Sequence, residues 1–238
     1  MSDTPRTAAV VVAAGVGERL AGGSDGTPKA LVEVAGRTLL ELALTSLRAV
    51  PAVTEVVVVH PPGEEEAFRA IAGDTAVLVP GGATRTESVA AGVAALSPDV
   101  EVVAVHDAAR PLVPPAVVAR AIDAVRGDVV AAAPGLAVAD TLKRVGPDGD
   151  VVETVDRSDL WAVHTPQVVR RDILVDALAG RRADATDDLA LVERLREAGA
   201  VGGRIVLVRG DPRDVKVTCP EDLVLVASVV EGTRVLGA

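Results

Sequence analysis

Aromatic side chains are almost missing from this sequence: one Trp, one Phe and no Tyr among 238 residues. A core has to be built from Val, Leu, Ile and Ala, and hardly a ring is left on which a nucleobase could stack. Cysteine is equally scarce. The single Cys219 excludes an internal disulfide framework and a cysteine-rich metal centre. Positive charge is in deficit, with 24 Lys+Arg against 34 Asp+Glu and a net charge of -10. Such a surface repels a polyphosphate backbone, which argues against nucleic-acid binding. No apolar run approaches the roughly 20 residues that cross a bilayer, so no membrane association is expected. The run from Ala8 to Ala14 follows Asp3 and a single Arg and enters a Gly-rich turn, so it reads as the first strand of a cytoplasmic protein and not as a signal peptide.

What the chain does have is apolar bulk, with 49% hydrophobic residues. Short Val-rich runs alternate with amphipathic segments, the pattern of buried parallel strands joined by helices, hence an α/β fold. Strands are expected at Ala8 to Ala13, Glu55 to Val59, Ala76 to Val79, Val102 to Val105 and Val129 to Ala133. Thr38 and Glu41 have capping-box spacing before a helix, and Pro114 and Pro115 suit a first helical turn. Past residue 135, Val138 to Val145, the turn Gly146-Pro147-Asp148-Gly149 and Val151 to Val155 read as an antiparallel hairpin. It has too little core to stand alone and is expected to pack on the parent domain or on a second subunit. Helices at Asp172 to Leu178 and Asp187 to Ala198, a strand at Arg204 to Val208 and a closing helix from Pro220 complete the reading. One domain over 1–238 with an inserted β-arm at about 136–160 is the expected organisation.

The first strand runs into Ala13-Ala14-Gly15-Val16-Gly17-Glu18-Arg19, a Gly-rich turn whose backbone N–H groups can approach phosphate. Pro28-Lys29 closes the loop. Only Lys29, Lys143 and Lys216 among the 24 basic residues are lysines. A compact ammonium moves among phosphoryl oxygens where a planar guanidinium cannot, so Lys29 and Lys216 are candidates for phosphate contact and Lys143 for an ordinary surface residue. The fourth strand delivers His106-Asp107-Ala108-Ala109-Arg110-Pro111 at its carboxyl end, the edge where parallel sheets bind ligands. Asp107 suits Mg²⁺, which takes one or two carboxylates plus substrate phosphates. The turn from Gly81 to Ser88 either presents its backbone and the Ser88 hydroxyl to a base edge or merely caps a helix. His60, His106 and His164 have no metal-ligand spacing and read as structural. Thr186 reads as a helix N-cap.

Taken in order, the residues at 13–19, Pro28-Lys29, Gly81-Gly82 with Arg85 and Ser88, the block at 105–111, Asp140-Thr141, Thr165-Pro166-Gln167, Thr186-Asp187 and Lys216-Val217-Thr218 resemble the 2-C-methyl-D-erythritol 4-phosphate cytidylyltransferases of the non-mevalonate isoprenoid pathway. The resemblance implies a Rossmann-like nucleotidyltransferase fold, a mostly parallel sheet flanked by helices. It implies Mg²⁺, CTP and a sugar-alcohol phosphate, and a homodimer clasped through the arm. By position, Arg19, Lys29 and Lys216 would be catalytic, while Ala13, Ala14, Gly15, Gly17, Gly82 and Ser88 would bind the nucleotide. Asp107, Arg110, Thr141, Arg157, Thr165 and Thr186 would hold the alcohol phosphate, some from the partner's arm, with Asp107 also the metal ligand.

The sequence departs from the family pattern at Ala30, Ala83, His164 and Asp214, where many members carry Gln, an acidic residue, Gln and Asn. Asp214 would then offset Lys216 or add a second metal carboxylate. A ribitol 5-phosphate or other sugar-phosphate nucleotidyltransferase, and a non-catalytic nucleotide-binding regulator, are the alternative readings. The length leaves no room for the cyclase domain fused to some relatives.

Overall fold

A computed structural model describes residues 5–15, 27–180, 185 and 187–236. The first half runs β1 (Thr7–Val12), a short ribbon of β2 (Glu33–Val34) and β3 (Arg37–Thr38), α1 (Leu39–Arg48), β4 (Val53–His60), α2 (Glu65–Ala72), β5 (Val77–Pro80), α3 (Arg85–Ala94), β6 (Val102–Asp107) and α4 (Pro115–Ala124). The second half runs β7 (Val129–Ala137), β8 (Leu142–Val145), β9 (Val151–Val155), β10 (Trp161–Val163), β11 (Gln167–Arg170), α5 (Arg171–Ala179), α6 (Asp188–Glu197), β12 (Arg204–Arg209) and α7 (Pro220–Leu236).

Local chemistry sets the boundaries. Thr38 caps α1 by accepting the Glu41 N–H, but the Glu41 carboxylate accepts from Arg37 Nε at 2.8 Å, so the expected box forms only in half. Pro114 and Pro115 occupy the cap and first turn of α4, where a missing N–H costs nothing. Asp187, and not Thr186, is the cap of α6, accepting from the Ala190 N–H at 2.8 Å.

Eight strands form one sheet in the order β5-β4-β1-β6-β11-β7-β10, with β12 parallel to β7. Strands β5, β4, β1 and β6 are mutually parallel. The sequence reading omitted β10 and β11. The latter lies antiparallel between β6 and β7, a four-residue strand from Gln167 to Arg170 that carries no long apolar run.

Both faces are covered, so neighbouring residues of β1 serve opposite layers. Ala9 and Val11 pack with Leu40, Leu44, Phe68 and Ile122, whereas Ala8 and Val10 pack with Val89, Val93, Leu174 and Val192. The interior is aliphatic as the composition requires. Phe68 is fully buried and Trp161 is 44% exposed on β10.

From β1 the chain first builds outward to β4 and β5, then returns to place β6 on the other side of β1. The crevice between diverging connections at the carboxyl ends of β1 and β6 is where open α/β sheets take ligands. Among the described residues the hairpin of β8 and β9 pairs only with itself, with Lys143 Nζ 2.5 Å from Thr154 Oγ1. Val145, Val151 and Val152 on it are each more than half exposed. Among the described residues no helix is long and apolar enough to cross a membrane.

Candidate active site

The crevice opens into a cleft of about 570 Å³, lined by residues 12–15 after β1, Lys29, Ala30, residues 82–85, Ser88, residues 107–109, Lys216 and Thr218. Eight of the sequence-predicted residues thus meet on one surface: Ala13, Ala14, Gly15, Lys29, Gly82, Ser88, Asp107 and Lys216. Arg19, Gly17 and Thr186 lie outside the described residues. Ala30 and Ala83, two of the four departures, are on the lining.

Close backbone approach shapes the wall opposite β6. A Cβ on Gly81 would lie 2.5 Å from Ala14 Cβ and 2.9 Å from Ser88 Oγ, so only glycine lets the two loops touch. Thr84 and Glu87 form a reciprocal capping box, and the Glu87 carboxylate also accepts the Ala83 N–H at 2.7 Å. Capping is therefore complete without Ser88. Its Oγ accepts the Gly82 N–H at 3.2 Å and faces the cleft.

Asp107, at the end of β6, is the one carboxylate on the lining among the described residues. Its Oδ1 accepts from Arg85, 3.4 Å from Nε and 3.2 Å from the terminal nitrogen, and its Oδ2 from Lys216 Nζ at 2.7 Å. Burial alone would raise its pKa, but the charges of Arg85 and Lys216 prevail and hold it at about 2, so the group is an anion throughout the neutral range. Arg85 in turn places two nitrogens 3.0 and 2.8 Å from the two oxygens of Asp188. Burial works against the Arg85 charge, yet the two carboxylates raise its pKa above the ordinary arginine value.

A second network lies behind Asp107. The Asp107 N–H donates to Thr165 Oγ1 at 3.1 Å, so the single hydroxyl proton of Thr165 is free to serve His106 Nδ1 at 3.0 Å. His106 then carries its hydrogen on Nε2 and donates to the Arg110 carbonyl at 3.0 Å. Burial lowers the His106 pKa, and the ring is neutral. Arg110 donates to the Asp214 carbonyl at 2.8 Å. Thr165 and Arg110 therefore brace Asp107 and the Lys216 segment from beneath and are not on the cleft lining. The two remaining departures touch each other: His164 Nδ1 donates to Asp214 Oδ2 at 3.0 Å. The Asp214 carboxylate is wholly buried against His164 and Arg110, and neither neutralises Lys216 nor faces the cleft.

Thr141 and Arg157 sit at the base of the hairpin, exposed, where Arg157 donates to the Ala139 carbonyl. They are apart from this cleft. Arg85 is among the motif residues named from sequence but was given no role there, and Asp188 was given none; a partner acid 103 residues away leaves no sequence signal.

A family model described as 2-C-methyl-D-erythritol 4-phosphate cytidylyltransferase matches residues 7–232. The chain belongs to this cytidylyltransferase family. A cytidylyltransferase of that description from Frankia casuarinae is 44% identical over 95% of this chain and 82% of its own. One from Streptomyces avermitilis is 43% identical over 96% and 93%. Among solved structures, the 2-C-methyl-D-erythritol 4-phosphate cytidylyltransferase of Thermus thermophilus superimposes with a TM-score of 0.77 at 36% identity, covering 94% of this chain and 98% of that one. The 4-diphosphocytidyl-2C-methyl-D-erythritol synthase of Anaerococcus prevotii gives 0.81 at 25% identity, covering 96% and 100%. The cytidylyltransferase fold thus extends over nearly the whole chain.

Proposed function

We propose that the protein transfers CMP from CTP to 2-C-methyl-D-erythritol 4-phosphate, yielding the cytidine diphosphate alcohol and pyrophosphate. The observation that carries this reading is the convergence of Lys29 and Lys216, from opposite ends of the chain, with Asp107 on one cleft at the sheet's switch point. In the reaction a phosphate oxygen of the alcohol attacks the α-phosphorus of CTP. The bond from that phosphorus to the β-phosphate oxygen breaks, and pyrophosphate leaves with the electron pair. The nucleophile is already an anion, so the protein has to align the two phosphates and neutralise the charge that grows around phosphorus.

Lys29, Lys216 and Arg19 supply that positive charge. The backbone at residues 13–15 and Gly82, with the Ser88 hydroxyl, reads the cytidine, and no aromatic ring on the lining competes for that task among the described residues. Asp107 is suited to a Mg²⁺ shared with the triphosphate, because a lone carboxylate matches an ion that draws its other ligands from substrate and water. Mg²⁺ would draw charge off the phosphates.

Thr141 and Arg157, at the base of the arm, are not among the residues lining this cleft, and the exposed valines of the hairpin call for a cover. A homodimer in which each arm brings Thr141 and Arg157 to the partner's cleft accounts for both. The test is pyrophosphate release from CTP and Mg²⁺ with either 2-C-methyl-D-erythritol 4-phosphate or ribitol 5-phosphate. The expected result is release with the first and little with the second; preference for ribitol 5-phosphate, or no release from folded protein, contradicts the proposal.

A further inference from the structure

The buried ion pair between Arg85 and Asp188 does no work in the scheme above, and its cost demands a reason. The Asp188 side chain is 1% exposed, does not line the cleft, and spends both oxygens on the Arg85 guanidinium. An apolar pair would join α3 to α6 as well or better, since a buried ion pair is a weak source of stability. What an apolar pair cannot do is hold a guanidinium against the Oδ1 of Asp107.

We infer that Arg85, clamped by Asp188, is the positioning residue that fixes the Asp107 carboxylate for the transfer reaction. The clamp is itself anchored. Gln167 Oε1 on β11 accepts the N–H groups of Asp188 and Leu189 at 2.7 and 3.0 Å, and its Nε2 donates to Asp187 at 3.1 Å. The start of α6 is thereby pinned to the sheet, and Asp188 with it. Arg85, three residues before Ser88 on α3, carries that rigidity across to the nucleotide wall.

The two cations on Asp107 are thus unequal. Arg85 is fixed by two carboxylates. Among the described residues Lys216 makes a single ion pair, from a flexible stem, and is 44% exposed. An entering phosphate can draw the ammonium away, exposing Oδ2 toward the ligand, while Arg85 keeps the carboxylate from turning. Arg85 is the static half of the bracket and Lys216 the exchangeable half.

The inference rests on the transfer reaction proposed above, and wild-type turnover in the same assay tests that reading separately. The decisive variant is the apolar exchange Arg85→Met with Asp188→Leu, which leaves no charge stranded. The double variant is expected to keep a melting temperature near that of wild type and a CTP affinity, measured by calorimetry without metal, within about threefold. Its kcat should fall by about 10–100-fold, the usual cost of losing an outer support of a site. Asp188→Asn, which keeps the shape and loosens the clamp, should lower kcat by roughly 3–10-fold with an unchanged KM, a milder loss of the same kind. Arg85→Lys keeps the charge but cannot span both carboxylates, and should resemble the double variant in kcat. Wild-type kcat in either the double variant or Asp188→Asn overturns the inference, as does a loss confined to CTP affinity, which would make Arg85 a nucleotide contact. If the double variant does not fold, the kcat of Asp188→Asn decides.

Discussion

At the scale of single residues, the two cleft lysines were legible because this chain uses lysine so sparingly. Lys29 and Lys216 both reach the cleft, and Lys143 sits on the hairpin bonded to Thr154. Removing one preorganised charge from a phosphoryl-transfer site costs about 10²–10³ in rate, so Lys29→Ala and Lys216→Met should each lose that much kcat with little change in melting temperature. A variant that unfolds while keeping its specific activity would mark the lysine as structural. The residues behind the cleft were not legible, because hydrogen-bond partners at His106, Thr165 and Arg110, or at His164 and Asp214, are set by the packing of β6 against β11 and have no local sequence pattern. His106 allows a test. Burial depresses its pKa from 6.5, so below that pH the unfolded chain takes up a proton that the native ring refuses, and stability falls as pH falls. His106→Gln should abolish this part of the slope, at most about 1.4 kcal/mol per pH unit, when urea unfolding is compared between pH 7.5 and 5.5. Equal slopes for the two proteins would contradict the neutral buried ring.

At the scale of elements, the β-branched runs and Pro or Thr caps announce the long strands and most helices to within a few residues, while the short strands β2, β3, β10 and β11 and helix α2 were not foreseen. The omission of β11 has a physical cause: a short strand gains its place by pairing with β6 and β7 on either side, a tertiary gain that four residues cannot advertise. Helix α3 shows how tightly elements are fitted around the site. A Cβ on Gly92 would lie 2.4 Å from Val10 Cγ1 and 2.9 Å from Val59 Cγ2, so the helix would have to lift from the sheet. Gly92→Ala should therefore destabilise by about 1–3 kcal/mol. In a chain of this size that is a fall of about 2–12 °C in melting temperature, readable by calorimetry. Because α3 also carries Ser88, CTP affinity should weaken with it; an unchanged melting temperature would contradict the close packing.

At the scale of the whole molecule, the deficit of positive charge acquires a local exception. An acidic protein brings Lys29 and Lys216 together on one cleft, and a small, highly charged nucleotide is drawn to that spot while polyanions meet a repelling surface. The hairpin was legible as a unit that cannot bury its own valines, and the proposed dimer follows from that same deficit of core. Val152→Asp should shift sedimentation at micromolar concentration from dimer toward monomer and lower turnover along with it, because Arg157 and Thr141 would no longer reach a partner's cleft. Wild-type sedimentation of the variant would place the interface elsewhere. The most direct test of the central claim is a crystal structure with CTP and Mg²⁺ bound. The account predicts the triphosphate between Lys29 and Lys216, the cytosine edge against Gly82 and Ser88, and Lys216 drawn off an Asp107 that stays on Arg85; a nucleotide bound outside this cleft would contradict it.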